Sequence, residues 1–363
     1  MKKVVVAMSG GVDSSVAAAL LKKEGYEVVG VTLRLFAEEK NAVKCCGGAE
    51  SAAKARSSAD ALGIRHYFKS AQGLFTDKVI KNFVDGYLAG STPNPCVECN
   101  RYLKFAYLFD IARSMGAEFL ATGHYAELKP AGEGYGLFRG MDPLKDQSYF
   151  LYCLKRAQLS KLLFPLGGME KKEIRRIAAE LGLPSAAAEE SKDICFVTSG
   201  NYNTYLRNSA AVKPKPGAIL DAAGKRLGTH KGFFNFTVGQ RRGTGVYGGQ
   251  RLYVTELRPE ANEVVLGPLS AACAEAFSVI EINWLTPVPS RPFNTTAQIR
   301  YRHKPAPCLL TPITGGKAEV VFEKAQFAVA PGQSVVFYDG DRVLGGGIIT
   351  ANKSGIGDRE SGI

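Results

Sequence analysis

Nothing in this chain is long and apolar. No hydrophobic run among its 363 residues approaches the roughly 18 that a membrane-spanning helix needs, which excludes an integral membrane protein built of such helices. A secretory leader is not expected either: Met1-Lys2-Lys3 is followed by five apolar residues that stop at Ser9, too few for a signal-peptide core. The expectation is a cytoplasmic protein with no membrane partner. In that reducing compartment, eight cysteines point to chemistry or metal rather than to disulfide staples. Long internal repeats and coiled-coil heptads are absent too. Acids are the scarcer charge, 34 against 46 lysines and arginines, and the net +12 suggests a polyanionic partner such as nucleic acid. What remains is 45% apolar and 22% charged residues over a length sufficient for two or three domains, which excludes disorder over most of the chain.

The organisation reads from periodicity. Val4 to Met8 is a continuous apolar run, as in a parallel strand covered on both faces. A helix over 14–24 follows, with Gly25 placed to end it, then a strand over 27–33. The alternation continues with a helix over 49–62, a strand over 64–68, helices over 76–88 and 102–115, and a strand over 119–122. Further helices are expected over 147–154 and 170–181. This predicts an α/β fold with a doubly wound parallel sheet. Composition changes near residue 210, where Lys213-Pro214-Lys215-Pro216-Gly217 reads as a linker. Beyond residue 276 or so, short runs such as 297–301, 319–322 and 334–338, parted by turns, predict a small β-barrel or sandwich. The last dozen residues read as a frayed tail.

The segment Ser9-Gly10-Gly11-Val12-Asp13-Ser14-Ser15 lies between the first strand and the first helix. In a doubly wound sheet that is the carboxyl end of a strand, where ligands bind. Its glycines let backbone approach an anion, the helix start offers N–H groups and positive dipole, Ser14 and Ser15 add hydroxyls, and Asp13 can orient a phosphate-bound Mg²⁺. The lysine of a Walker A loop is absent, so γ-phosphate transfer by that machinery is not expected. The motif looks like the pyrophosphate loop of enzymes that split ATP between its α and β phosphates.

Thr92-Pro93-Asn94-Pro95-Cys96-Val97-Glu98-Cys99-Asn100 is the second constellation. Prolines stiffen it, and a Cys-x-x-Cys pair opens the helix expected near Tyr102, whose dipole favours thiolate. The pair alone fits a redox dithiol, half a zinc site or coincidence, but no second Cys-x-x-Cys completes a zinc set. Cys195 is a further candidate sulfur; its plainer reading is a small apolar residue in a buried strand. Cys45-Cys46, followed by two glycines, reads as a loop without a required role. Gly123 and His124 follow the strand over 119–122, where Gly123 permits close approach of a nucleotide. Lys145-Asp146-Gln147 suits an N-cap or an RNA grip. The runs Gly239 to Gly245 and Arg300 to Lys304 set cations beside small or stackable residues, a pattern for RNA loops or for a solvated face.

Together these segments resemble the tRNA-specific 2-thiouridylases of the pyrophosphate-loop superfamily, from the first strand to about residue 345. The resemblance rests on 7–15, 92–105, 121–125, 145–154, 193–196, 230–245 and 298–302. It implies a pyrophosphate-loop domain (1–210), a connecting domain (211–273) and a C-terminal β-barrel that contacts tRNA (274–352). It also implies adenylation of the C2 oxygen of the wobble uridine, then sulfur transfer; a small-molecule ligase with the same loop is the alternative. Ala7, Met8, Ser9, Gly10, Gly11, Val12, Asp13 and Ser14 would hold ATP with Mg²⁺, with Leu33 and Gly123 near the adenosine. Asn94, Pro95 and Cys96 would flank the target base, and Lys145, Asp146, Gln147, Arg300 and Tyr301 would contact the tRNA anticodon region. Cys99 would be the nucleophile and Cys195 the persulfide carrier, with sulfur supplied by a carrier protein, a desulfurase relay or inorganic sulfide. Many relatives carry Asp where this chain has Cys96. Related thiolases hold a [4Fe–4S] cluster on three cysteines, so Cys96, Cys99 and Cys195 are expected as its ligands here, because a thiol beside the base has no evident task in the persulfide scheme.

Overall fold

Val4, Val5 and Val6 are fully buried at the centre of a five-stranded parallel sheet, as their unbroken β-branched run requires. The computed structural model describes residues 1–36, 48–186, 194–197, 202–209, 213–246 and 250–350, and the cysteines at 45 and 46 lie outside them. The sheet holds β1 (Lys3–Ala7), β2 (Glu27–Arg34), β3 (Arg65–Ser70), β4 (Phe119–Ala121) and the short β7 (Leu162–Leu163), in the order β3-β2-β1-β4-β7. Strand order reverses between β1 and β4, which makes the crevice above their carboxyl ends the topological switch point. Helix α1 (Val12–Lys23) joins β1 to β2, and α2 (Ala49–Ala61) leads into β3. Two helical rods follow. The first runs α3 (Gln72–Phe75), a π segment (Thr76–Ile80) and α4 (Lys81–Leu88); the second runs α5 (Pro95–Glu98), a π segment (Cys99–Tyr107) and α6 (Leu108–Ser114). Helix α7 (Lys171–Glu180) packs on α1 through Ile174 and Ala178 against Val12, Val16 and Ala17.

Two expectations change, and one element was not foreseen. The helix expected from 102 starts at Pro95, because proline at the first helical position is pre-set for the turn. The helix expected over 147–154 is a single 3₁₀ turn, Ser148–Phe150, followed by turns, since Tyr149, Leu151, Tyr152 and Leu154 are buried on several sides at once and no one stripe faces solvent. A hairpin, β5 (Ala126–Ala131) and β6 (Gly134–Arg139), went unread in the sequence; it leaves the parallel sheet and joins the C-terminal one at Phe138 opposite Arg342.

Helix α8 (Tyr202–Asn208) precedes a four-stranded sheet of β8 (Gly217–Asp221), β9 (Arg226–His230), β10 (Tyr253–Arg258) and β11 (Glu263–Gly267), closed over Ile219, Phe236, Val254, Val264 and Leu266. The last strands are β12 (Cys273–Trp284), β13 (Phe293–Gln298), β14 (Ala306–Ile313), β15 (Lys317–Phe327), β16 (Ser334–Asp339) and β17 (Arg342–Ile349). β12 pairs with both β15 and β17, so these six close into a barrel and leave no open edge among themselves. Among the described residues no helix is long and apolar enough to cross a membrane.

Candidate active site

The loop after β1 is held by its own hydroxyls. Ser14 Oγ accepts from the Ser9 N–H at 3.1 Å and donates to the Gly11 carbonyl at 3.1 Å, and Ser15 Oγ donates to the same carbonyl at 3.1 Å. Gly11 is the N-cap of α1, and no side chain caps the helix. That leaves its amide end and dipole available to an anion. The two glycines differ. Gly10 has φ +82° and a Cβ there would lie 2.1 Å from the Ser51 carbonyl oxygen, so the fold itself demands glycine. A Cβ on Gly11 would meet only Ser9 Oγ, at 3.6 Å, so nothing in the protein itself requires a glycine there.

Gly123, after β4, closes the opposite wall of the crevice. A Cβ there would come within 2.9 Å of the Asp13 carbonyl carbon and the Ser14 nitrogen, so the two loops are in direct contact. Leu33, near the end of β2, is half-buried beside them. Asp13 Oδ1 accepts from the Tyr125 hydroxyl at 2.6 Å and from Lys171 Nζ at 2.6 Å. Lys171, in the first turn of α7, was not singled out in the sequence; Glu170-Lys171-Lys172 looks like any solvated helix start. His124 is buried, with Nδ1 2.6 Å from Thr122 Oγ1 and Nε2 3.4 Å from Lys104 Nζ. Burial first, and then the Lys104 charge, hold this imidazole well below its usual pKa, so it is neutral.

The cysteine loop is assembled by distant segments. Thr92 N–H donates to the Pro331 carbonyl at 2.7 Å, and Gln333 Nε2 donates to the Thr92 carbonyl at 2.9 Å. Asn100 Nδ2 donates to the Phe150 carbonyl at 2.9 Å. Beneath the loop, Glu98 lies 3.6 Å from Arg101; its carboxyl is raised by burial, opposed by Arg101 and reinforced by Glu281. With Asn94 as N-cap and Pro95 first, Cys96 rather than Cys99 occupies the first helical turn, where the dipole acts most strongly. Cys96 is exposed, and Cys99 and Cys195 are half-buried. The last two pack against one apolar cluster that includes Phe75, Phe83, Leu103 and Phe196. Cys96 instead lies near Tyr301, whose hydroxyl is raised by burial, then by Asp146, with Cys96 adding a smaller push. Among the described residues no three His, Cys, Asp or Glu side chains gather as metal ligands. The expected cluster on Cys96, Cys99 and Cys195 finds no support in this geometry, and no step below runs through iron. Cys153, under the loop, is buried and its thiol is pushed up to about 12, chiefly by burial.

The residues expected at tRNA divide into two kinds. Asp146 is buried: Oδ1 accepts from the Gly140 and Ser148 amides, both at 3.0 Å, and Oδ2 from Arg139 Nη1 at 3.0 Å and Ser148 Oγ at 2.9 Å. Gln147 clamps the Tyr125 backbone, its Oε1 accepting at 3.1 Å and its N–H donating at 2.8 Å. Both shape the turn from inside. Lys145 is half-buried, Tyr301 packs on Phe150 with ring centres 4.4 Å apart, and Arg300 Nη2 donates to the Val238 carbonyl at 2.8 Å while its Nε has no hydrogen-bond partner.

A phosphate-ready loop at a switch point, with thiols on the helical rod beside it, defines a nucleotide-using α/β enzyme of the pyrophosphate-loop class. Comparison narrows this. Residues 2–199 match a family described as tRNA methyl transferase HUP domain, 204–268 its PRC-barrel domain, and 274–349 an aminomethyltransferase beta-barrel domain. The tRNA-specific 2-thiouridylase MnmA of Geotalea uraniireducens is 45% identical over 355 residues, 96% of this chain and 95% of its own. That of Carboxydothermus hydrogenoformans is 45% identical over 96% of this chain and 97% of its own. That of Chloroflexus aggregans is 45% identical over 98% and 100%. The chain belongs to the tRNA-specific 2-thiouridylase family.

Proposed function

We propose that this protein is a tRNA 2-thiouridylase acting in the cytoplasm, which adenylates the C2 oxygen of the wobble uridine and then replaces that oxygen with sulfur. The observation that carries the reading is near-full-length identity of 45% to proteins of that name. It is supported by a loop suited to ATP phosphates at the carboxyl end of the central strand, and by a cysteine-bearing rod whose Lys104 reaches His124, the neighbour of Gly123. In this reading Ala7 to Ser14 hold ATP, Leu33 and Gly123 border the adenosine, and Asp13 offers one carboxylate to the Mg²⁺ that travels with the phosphates. Asn94, Pro95 and Cys96 flank the flipped base, Lys145, Arg300 and Tyr301 face the tRNA, and Asp146 and Gln147 hold their turn. The working division is 1–210, 211–273 and 274–352.

The uridine C2 carbonyl lacks a leaving group. Its oxygen attacks the α-phosphorus of ATP, the O–Pα bond forms, pyrophosphate departs, and the base gives up its N3 proton. The terminal sulfur of a Cys195 persulfide, delivered by a persulfide carrier, attacks C2, and AMP leaves with the original oxygen. Cys99 thiolate then attacks the Cys195 sulfur, which frees 2-thiouridine and leaves a Cys99–Cys195 disulfide for a thiol reductant to open. The shared apolar border of Cys99 and Cys195 favours this route over one needing all three thiols. Pyrophosphate release that requires tRNA tests the reading. Release driven by a small carboxylic acid or amine, with tRNA inert, would mean a ligase instead.

A further inference from the structure

Lys104 sits five residues beyond Cys99 on the same rod, about one turn of the π segment away. Its ammonium reaches the opposite wall of the crevice, 3.4 Å from His124 Nε2. His124 directly follows Gly123, the glycine in contact with Asp13 and Ser14 of the phosphate loop. One cation thus spans from the thiol-bearing rod to the ATP wall. Its partner is a neutral ring, so the charge is not cancelled; among the described residues no carboxylate lies within ion-pair distance of Lys104. Lys171 differs, since it is paired with Asp13. With Nε2 accepting from the ammonium, Nδ1–H of His124 donates to Thr122 Oγ1 at 2.6 Å. Phe105 and Phe164, with ring centres 5.6 and 5.9 Å away, hold the imidazole in that orientation. A half-buried lysine fixed at its tip and left with unused N–H donors suits an oxyanion that forms between the two walls.

We propose that Lys104 is a catalytic residue whose ammonium binds the α-phosphate as it passes from ATP to the uridine oxygen and as it departs in AMP, and that His124 is its positioning residue. The inference rests on the adenylation reading above. As the O–Pα bond forms and the bond to pyrophosphate breaks, negative charge on the transferring group meets the ammonium. When sulfur attacks C2, the C2–O bond breaks and its electron pair goes to AMP, beside the same cation. Lys104 stays protonated throughout, so no proton acceptor is needed.

The test is single-turnover pyrophosphate release with tRNA, alongside ATP and tRNA dissociation constants. Lys104→Met should slow release at least 100-fold with both constants within threefold of wild type, and Lys104→Arg should stay within tenfold. Wild-type release by Lys104→Met, or a loss matched by weaker tRNA binding, overturns the proposal while the adenylation reading stands. Failure of the wild-type protein to release pyrophosphate overturns both. Should Lys104→Met lose its cooperative melt, Lys104→Arg decides: its preference between the two α-phosphorothioate diastereomers of ATP should change at least threefold, and an unchanged preference counts against the contact.

Discussion

The two sides of the crevice are built in opposite ways. On the phosphate side, Ser9, Gly11, Ser14 and Ser15 fix one another across at most five residues of chain. On the sulfur side, Thr92 is held by Pro331 and Gln333, more than 230 residues away, and Asn100 by Phe150. Short loops cost little entropy to close and can be specified by a motif; contacts across the whole chain exist only once the barrel has closed and docked. Strands β13 and β16 flank that arrangement, and Arg300 and Tyr301 follow β13. The part of the molecule read as facing tRNA therefore also fixes the cysteine loop. On that reading, engagement of RNA and placement of the thiols are mechanically linked, whereas the hydroxyl bonds that shape the phosphate loop lie within the loop, and Asp13 ties it to Tyr125 and Lys171.

The sharpest way to break this contrast is to disable each side separately. Gly11→Val fills space that the protein itself leaves open, and Asp13→Ala also removes the carboxylate to which Lys171 donates. Each should cut tRNA-dependent pyrophosphate release at least 100-fold. Cys99→Ala should leave that release within threefold and abolish 2-thiouridine; equal loss in both assays would mean the sides are not separable.

Next in size is Asp146→Ala. It strands Arg139 and two amides that the carboxylate satisfies, and loss of a buried paired charge costs about 3 kcal/mol. Urea unfolding should show a drop of that order, and a change under about 0.5 kcal/mol would reduce Asp146 to a surface group. A smaller effect belongs to His66, which meets Thr32 Oγ1 at 2.9 Å on the ATP side. Burial, then Arg56, lowers its pKa to about 4. The unfolded chain takes up this proton first, so the stability it confers is full above about pH 6.5 and is lost as pH falls toward 4. Melting temperatures measured from pH 7.5 to 5 should fall less steeply in His66→Gln. The smallest effect is predicted for Cys96→Asp, which removes the thiol and keeps a polar side chain in the first helical turn; it should keep thiolation within threefold. A tenfold loss would give Cys96 a chemical role.

The same contrast explains what could be read in advance. The Ser-Gly-Gly-x-Asp-Ser-Ser run and the apolar strand before it are contiguous, so the loop, its helix and the switch-point location were legible. Lys171 and Lys104 were not, because each meets its partner, Asp13 or His124, only through the docking of separate elements. Asp146 and Gln147 read as an N-cap or an RNA grip; four acceptor contacts bury the first and a backbone clamp holds the second. The three cysteines could be counted but not placed. Whether Cys96 shares a ligand set with Cys99 and Cys195 depends on which sides of the rod meet Tyr301 and the Phe75–Phe83 cluster, and a Cys-x-x-Cys spacing does not encode that.

The account turns on sulfur passing through Cys195 and Cys99 once ATP has activated the tRNA. Protein loaded with ³⁵S-persulfide in iron-free buffer, then given tRNA and ATP, should move the label into 2-thiouridine and form one Cys99–Cys195 disulfide per thiouridine made. It should do neither without ATP. Thiouridine formed at the wild-type rate by Cys195→Ser, or formed only after iron and sulfide are restored, would contradict it.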